Sequence, residues 1–219
     1  MNTTKLFAFL TELARHNERD WFQTHKPTYE QLRREFEAAV TGWLRELTVS
    51  DPRLAGLEPK KTLFRIYRDV RFSKNKDPFK THFSAYFSEG GKAGTGPGYY
   101  VQLGPQGQTL LAGGIYVPEK DQLTRIRQEI DYNGSALHQL LEAPEFRRYF
   151  PGLGGEKLKK APAGYPADHP DLELLKHKSF VVTHHIPAAT VHQLDLDTYV
   201  PAVFRALQPF CEFLREAVE

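Results

Sequence analysis

The connection Gly104-Pro105-Gln106-Gly107 constrains this chain more than any other stretch. It joins two runs of strand-forming residues, 98–103 and 109–117, and the five residues between them are too few for the crossover that parallel strands require. The runs are therefore expected to pair as an antiparallel hairpin. Proline at the second turn position and glycine at the fourth fit a type I turn. The second run is apolar on both faces, with Leu111 and Ile115 on one and Leu110, Ala112 and Tyr116 on the other. That pattern predicts a central strand covered on both sides. Gly113-Gly114 within it marks a bulge or a close backbone approach.

Two further alternating runs precede the hairpin. In 63–72, Phe64, Ile66, Val70 and Phe72 fall on one face. In 81–88, Phe83, Ala85 and Phe87 oppose His82, Ser84, Tyr86 and Ser88. Period two predicts a strand for each, joined by the turn-rich loop 73–78. A final strand is expected at 179–186, where His184 shares a face with Phe180, Val182 and Ile186. Helical spacing governs the rest. Thr3 or Thr4 caps a first helix carrying Leu6, Phe9, Leu10 and Leu13. Asn17 caps a short turn holding Trp21 and Phe22. Pro27 opens a long helix with Tyr29, Leu32, Phe36, Val40, Trp43 and Leu47 inward, ended by Asp51-Pro52. Pro118 opens another, which Asn133-Gly134 stops. The last begins near Asp195, with Pro201 in its first turn and Pro209 as a kink. The expected fold is α+β: a single mostly antiparallel sheet of about five strands packed against several helices, and the length fits one large domain or two intimate lobes.

The functional signal is electrostatic. Between Lys60 and His82 stand eight Lys or Arg and two Asp, a net +6, whereas the whole chain carries +2. The remainder is therefore −4, and the positive charge is local. Arg presents a bidentate fork that suits phosphate or carboxylate. The strand-loop-strand 64–82 is thus expected to bind an anionic, phosphorylated or carboxylated small molecule. Arg65, Arg71, Lys74, Lys76 and Lys80 would contact it, Asp69 would orient Arg71, and His82 and Tyr86 would add polar contacts. Strict alternation puts Arg68 on the apolar face, where a guanidinium needs a carboxylate, carbonyls or a bound anion unless a bulge turns it outward. A nucleic-acid module using the same basic surface, with Tyr67, Phe79 or Tyr99 stacking on bases, is the second reading. An enzyme acting on an anionic substrate is the third, with Asp69 or a histidine as base. Lys157, Lys159, Lys160 and Lys178 form a second cationic region that either joins this site or keeps a long loop solvated.

The run Phe64-Arg-Ile-Tyr-Arg-Asp-Val-Arg-Phe-Ser-Lys-Asn-Lys-Asp-Pro-Phe-Lys-Thr81 resembles the signature of the family known as domain of unknown function 2461 (DUF2461). Asn17 through Trp21-Phe22, the Gly98-Tyr99-Tyr100 strand with Gly113-Gly114, and Pro162 to Lys178 resemble that family's other blocks. The resemblance covers nearly the whole chain and implies a single-domain α+β fold. It implies no activity. Phe79 stands where the family usually has tyrosine, which argues against an essential phenol there.

Several classes are disfavoured by what the sequence carries. One cysteine, Cys211, leaves no partner for an intramolecular disulfide and no Cys-rich zinc site. The histidines show no metal-ligand spacing, and neighbours such as His184 and His185 point to opposite faces of a strand, so no metal is expected. The glycine-rich stretch 90–98 lacks the phosphate-loop pattern and reads as a flexible connection or a lid, and no dinucleotide fingerprint or nucleophile elbow occurs, so no cofactor is expected. The apolar run Leu6–Leu10 is too short for a signal peptide or a membrane span, which leads us to expect a soluble cytoplasmic protein with no membrane partner.

Overall fold

The short connection does produce the antiparallel hairpin, and the sheet grows outward from it. The computed structural model describes all 219 residues. Four helices come first: α1 (Thr3–Arg15), α2 (Arg19–Thr24), α3 (Lys26–Ser50) and α4 (Pro59–Thr62). Three strands follow, β1 (Phe83–Phe87), β2 (Gly98–Leu103) and β3 (Leu110–Ile115). After α5 (Lys120–Glu142), α6 (Pro144–Arg147) and α7 (Leu172–Leu175) comes β4 (Phe180–His185), then α8 (Ala188–Val191) and α9 (Leu196–Val218). The sheet has the order β1-β2-β3-β4, and every neighbouring pair is antiparallel. The fold is α+β with four strands. The expected fifth, 63–72, is irregular and touches the sheet only through an isolated bridge between Leu63 and Ala85.

One face of the sheet meets the helices. Phe83, Ala85, Phe87, Tyr99, Val101 and Leu111 alternate inward and are buried. Helix α9 lies across β3, flanked by α3 and α5. The buried apolar side chains form one contiguous cluster of 47 residues, so sheet and helices share a core. The glycine pair of β3 serves this contact. A Cβ on Gly113 would strike the Leu207 side chain of α9 and sit 2.8 Å from the Gly98 carbonyl oxygen. Register runs unbroken from Leu110 to Ile115 against β4, so the glycines mark close approach and not a bulge.

Other expectations need correcting. The hairpin turn is Pro105–Gln108, closed by a 3.0 Å bond from the Gln108 N–H to the Pro105 carbonyl. Gln106 (φ 55°) and Gly107 (φ 80°) are both left-handed. This is the primed geometry whose twist matches the strands, not type I. Helix α1 is capped by Asn2, whose side chain accepts from the Lys5 N–H, and not by a threonine. The break expected at Asn133-Gly134 is present: Asn133 leaves helical geometry (φ −125°, ψ 32°) and divides α5 into two helical segments that follow directly on one another. Helix α9 runs on through Pro209, which lies on its exposed side, where a carbonyl without its amide partner can be hydrated.

Each outer edge of the sheet is met at one point by another segment of the chain. The Phe64 N–H donates to the Ser84 carbonyl at 3.0 Å, and on the other side the Gly154 N–H donates to the Val181 carbonyl at 2.8 Å.

Candidate functional site

The basic stretch leaves the sheet after Phe64 and returns to it at Phe83 as a protruding arm. Its base is closed by two backbone bonds, Lys80 N–H to Ile66 carbonyl (2.8 Å) and Arg68 N–H to Pro78 carbonyl (2.9 Å). Asn17 fixes this base to the corner between α1 and α2. Its amide donates to the Phe79 carbonyl at 3.1 Å and accepts from the Phe79 N–H at 3.0 Å, mimicking a ladder pair. The Phe79 ring is buried and stacks on Phe22 at 4.1 Å. Asn17 is therefore an anchor and not a helix cap; Glu18 holds that position. The period-two pattern fails because the arm bonds to itself and not to a sheet. Ile66 points inward, whereas Phe72 is 95% exposed.

The expected site residues divide between distinct places. At the tip, Arg71 grips Asp69 bidentately, at 3.0 Å through Nε and 2.6 Å through Nη2. These bonds hold the Asp69 carboxyl below its ordinary range. Lys76 donates to the Val70 carbonyl at 3.0 Å, and Lys74 is exposed. Arg68 lies within the arm, neither on a core face nor turned fully outward. It donates to the Asp77 carbonyl (3.2 Å) and the Ser73 hydroxyl (3.3 Å), with the Asp77 carboxylate 4.0 Å away.

Arg65, Lys80 and His82 gather instead at the foot of the arm, together with Lys92 from the glycine-rich connection. Lys80 Nζ lies 5.1 Å and Lys92 Nζ 5.5 Å from the centre of the exposed Phe64 ring. Among the ion pairs of the protein, none involves Arg65, Lys80 or Lys92. Burial, then the charges of Arg65 and Lys92, push the Lys80 ammonium below its ordinary value. Sequence reasoning missed Lys92, although a lone lysine in the Gly90–Gly98 run was its visible signal.

Tyr86 stands in a different feature, a cavity of about 660 Å³ on the sheet face turned away from the helices. Tyr86, Tyr100, Ala112 and Thr183 form its floor. Phe64 and Lys92 border it, so the cationic cluster sits at its rim. The glycine-rich connection forms part of its wall, held by Gln122 Nε2 donating to the Thr95 carbonyl at 2.9 Å and by Tyr86 Oη donating to the Gly96 carbonyl at 3.4 Å. A second depression of about 980 Å³, between α3 and α9, is lined by charges of both signs such as Glu35, Arg45, Asp197 and Arg205.

His82 supplies a pH-dependent test of this neighbourhood. Burial, then Lys80, lower its pKa from 6.5 to about 4. The unfolded chain therefore binds this proton more tightly than the folded one, and stability is lost as pH falls from about 6.5 to about 4. The loss attributable to His82 is at most about 3 kcal/mol. Urea unfolding at pH 7 and pH 4.5 should show a smaller difference for His82→Asn than for the wild type. Identical pH dependence in the two proteins would reject the assignment.

The remaining candidates are self-contained. Lys157 and Lys178 pair with Glu173 (3.0 Å) and Glu156 (2.9 Å) beside β4, the edge opposite the arm. His184 donates through Nδ1 to the Tyr149 carbonyl (2.9 Å) and accepts at Nε2 from the Tyr199 hydroxyl (2.7 Å). Cys211 is buried, and burial drives its thiol up to about 12. Phe79 and Tyr99 are also buried and cannot stack on a base. No group of three or more His, Cys, Asp or Glu side chains is placed to hold a metal ion, and no helix is long and apolar enough to cross a membrane.

No curated protein and no solved structure matches the chain. A family model described as "Conserved hypothetical protein (DUF2461)" matches residues 5–213, which include most of α1, the arm, all four strands and most of α9. The chain belongs to the DUF2461 family.

Proposed function

We propose that the protein binds a small anion, a phosphate or carboxylate group, between Arg65, Lys80 and Lys92. The observation that carries this reading is a cluster of three cations with no carboxylate in ion-pair contact, one of which, Lys80, has its ammonium form disfavoured by burial and then by the other two. An anion placed among them relieves that repulsion, and partial burial of Lys80 strengthens the attraction above its value in open water. Binding is favoured over acid–base catalysis because the histidine beside Lys80, His82, is held far from neutrality, at about 4, by burial and then by that lysine.

The test is thermal unfolding against inorganic phosphate and a panel of carboxylated and phosphorylated metabolites. A ligand at a hundredfold excess over its Kd adds about 2.7 kcal/mol, roughly 5–10 °C for a chain of this size. The triple variant Arg65→Gln, Lys80→Gln, Lys92→Gln should lose that shift. Replacing Arg71, Lys74 and Lys76 at the tip should leave it intact. Loss with the tip variant alone would move the site to the arm's end, and no shift with any panel member would reject anion binding.

One observation favours a second reading at that end. Phe72 is 95% exposed between Arg71 and Ser73-Lys74, and an exposed ring flanked by cations suits stacking on a single-stranded nucleic acid. That reading requires affinity that falls steeply with salt and is lost in Phe72→Ser.

A further inference from the structure

We propose that the cavity on the uncovered sheet face receives a planar, largely apolar ring system, so that the ligand is an aromatic anion whose charged group reaches the cationic rim. This inference rests on the anion reading above and adds the chemistry of the ligand's body.

The trough arises from a step in side-chain size across the sheet. On this face β1 and β2 carry Tyr86 and Tyr100, while β3 carries Ala112 and Gly114. A volume of about 660 Å³ is ample for a drug-sized molecule. Phe64, Tyr116 and Val117, three of the seven large hydrophobic side chains left exposed in the protein, all border it. Such a concentration of apolar surface around one concavity marks a contact site, whereas scattered single exposures do not.

The floor offers two aromatic rings whose hydroxyls are already engaged, and beside them a single threonine hydroxyl, Thr183. The Tyr100 hydroxyl donates to Gln102 Oε1 at 2.8 Å, and the Tyr86 hydroxyl is taken by Gly96. A sugar would find few open partners there, whereas a flat ring can pack against aromatic faces. Lys92 stands at one side of the cavity, with Lys80 on the same Phe64 ring. Body and charge therefore have adjoining places. The wall is also strained where it borders the trough. Val117 holds φ 50°, a region that β-branched residues avoid, and its N–H donates to the Ser179 hydroxyl at 3.0 Å. Strain of this kind persists where the surroundings impose it, often at ligand sites.

Calorimetric titration of the full chain with 1-naphthyl phosphate, inorganic phosphate and 1-naphthol tests this. Naphthyl phosphate is expected to bind at least tenfold more tightly than inorganic phosphate. Ala112→Phe, which fills the trough from its floor, should erase that advantage while leaving phosphate affinity unchanged. Val181→Phe, placed on the same face of β4, serves if Ala112→Phe does not fold. Equal affinity for the two phosphates, or an advantage that survives either filling variant, overturns the aromatic assignment and leaves the anion reading standing. Tight binding of naphthyl phosphate and naphthol alike, undiminished by Lys80→Gln with Lys92→Gln, overturns the anion reading instead. No binding of any of the three overturns both.

Discussion

Asp51→Ala is expected to destabilise the protein by about 3–5 kcal/mol. Asp51 ends α3 and is 2% exposed; Arg215, in the last turns of α9, is 5% exposed. The Arg215 guanidinium donates to Asp51 Oδ2 at 2.8 Å, and the Tyr99 hydroxyl of β2 donates to the same oxygen at 2.9 Å. Burial alone would lower the Arg215 pKa, but the bonds and charges of Asp51, with the charge of Glu212, raise it overall. Removing the carboxylate leaves the Tyr99 phenol and the Nη2 side of the Arg215 guanidinium unpaired in the interior, with only the partly exposed Glu212 still held by Nη1, and breaking one partner from a buried ion pair is among the costliest single defects. Tyr99→Phe removes one bond and leaves the ion pair, so a loss nearer 1 kcal/mol is expected. Replacing both ends together, Asp51→Leu with Arg215→Met, should recover much of the Asp51→Ala deficit. Urea denaturation measures all three. An Asp51→Ala protein within 1 kcal/mol of the wild type would falsify this account.

Phe79→Ala is expected to cost about 3–5 kcal/mol and, in addition, to release the arm. The ring is buried against Phe22 and lies 5.2 Å from Tyr67, so its removal leaves a cavity at the base of the arm. Asn17→Ala attacks the same joint through hydrogen bonds, leaving the Phe79 N–H and carbonyl unpaired, for about 1–3 kcal/mol. Both variants should speed tryptic cleavage after Arg71 and Lys74 and weaken any anion binding that needs Lys80 in place. Cleavage at the wild-type rate in both variants would show that the arm is held by other contacts.

The elements that packing decides were legible from the sequence. The stripe from Leu32 to Leu47 is buried along α3, and the hairpin forms where its turn demanded one. What misled was alternation in the arm. Phe64, Ile66, Val70 and Phe72 obey period two, but no neighbouring strand exists to use it. Side-chain pattern cannot report whether a backbone finds a partner. Asn17 was read as a cap because asparagine caps helices, whereas its partner lies 62 residues away. The positive charge was visible too, and yet local sequence could not separate Arg71, neutralised by Asp69 two residues earlier, from Arg65 and Lys80. That distinction, and the arrival of Lys92 beside them, required the third dimension. The sheet-face cavity had no sequence signal beyond the contrast of Tyr86 and Tyr100 with Ala112 and Gly114, which acquires meaning only once the register is known.

The segments lying along β1 and β4 have a consequence for how the molecule behaves in a crowd. A sheet of four strands normally offers two open rows of amides and carbonyls to any extended peptide or second copy. Here Phe64 engages Ser84 on one margin, and Gly154 engages Val181 on the other. A partner that joins by adding a strand would meet the protein's own chain at Ser84 on one margin and at Val181 on the other, which shortens the stretch of edge open to it.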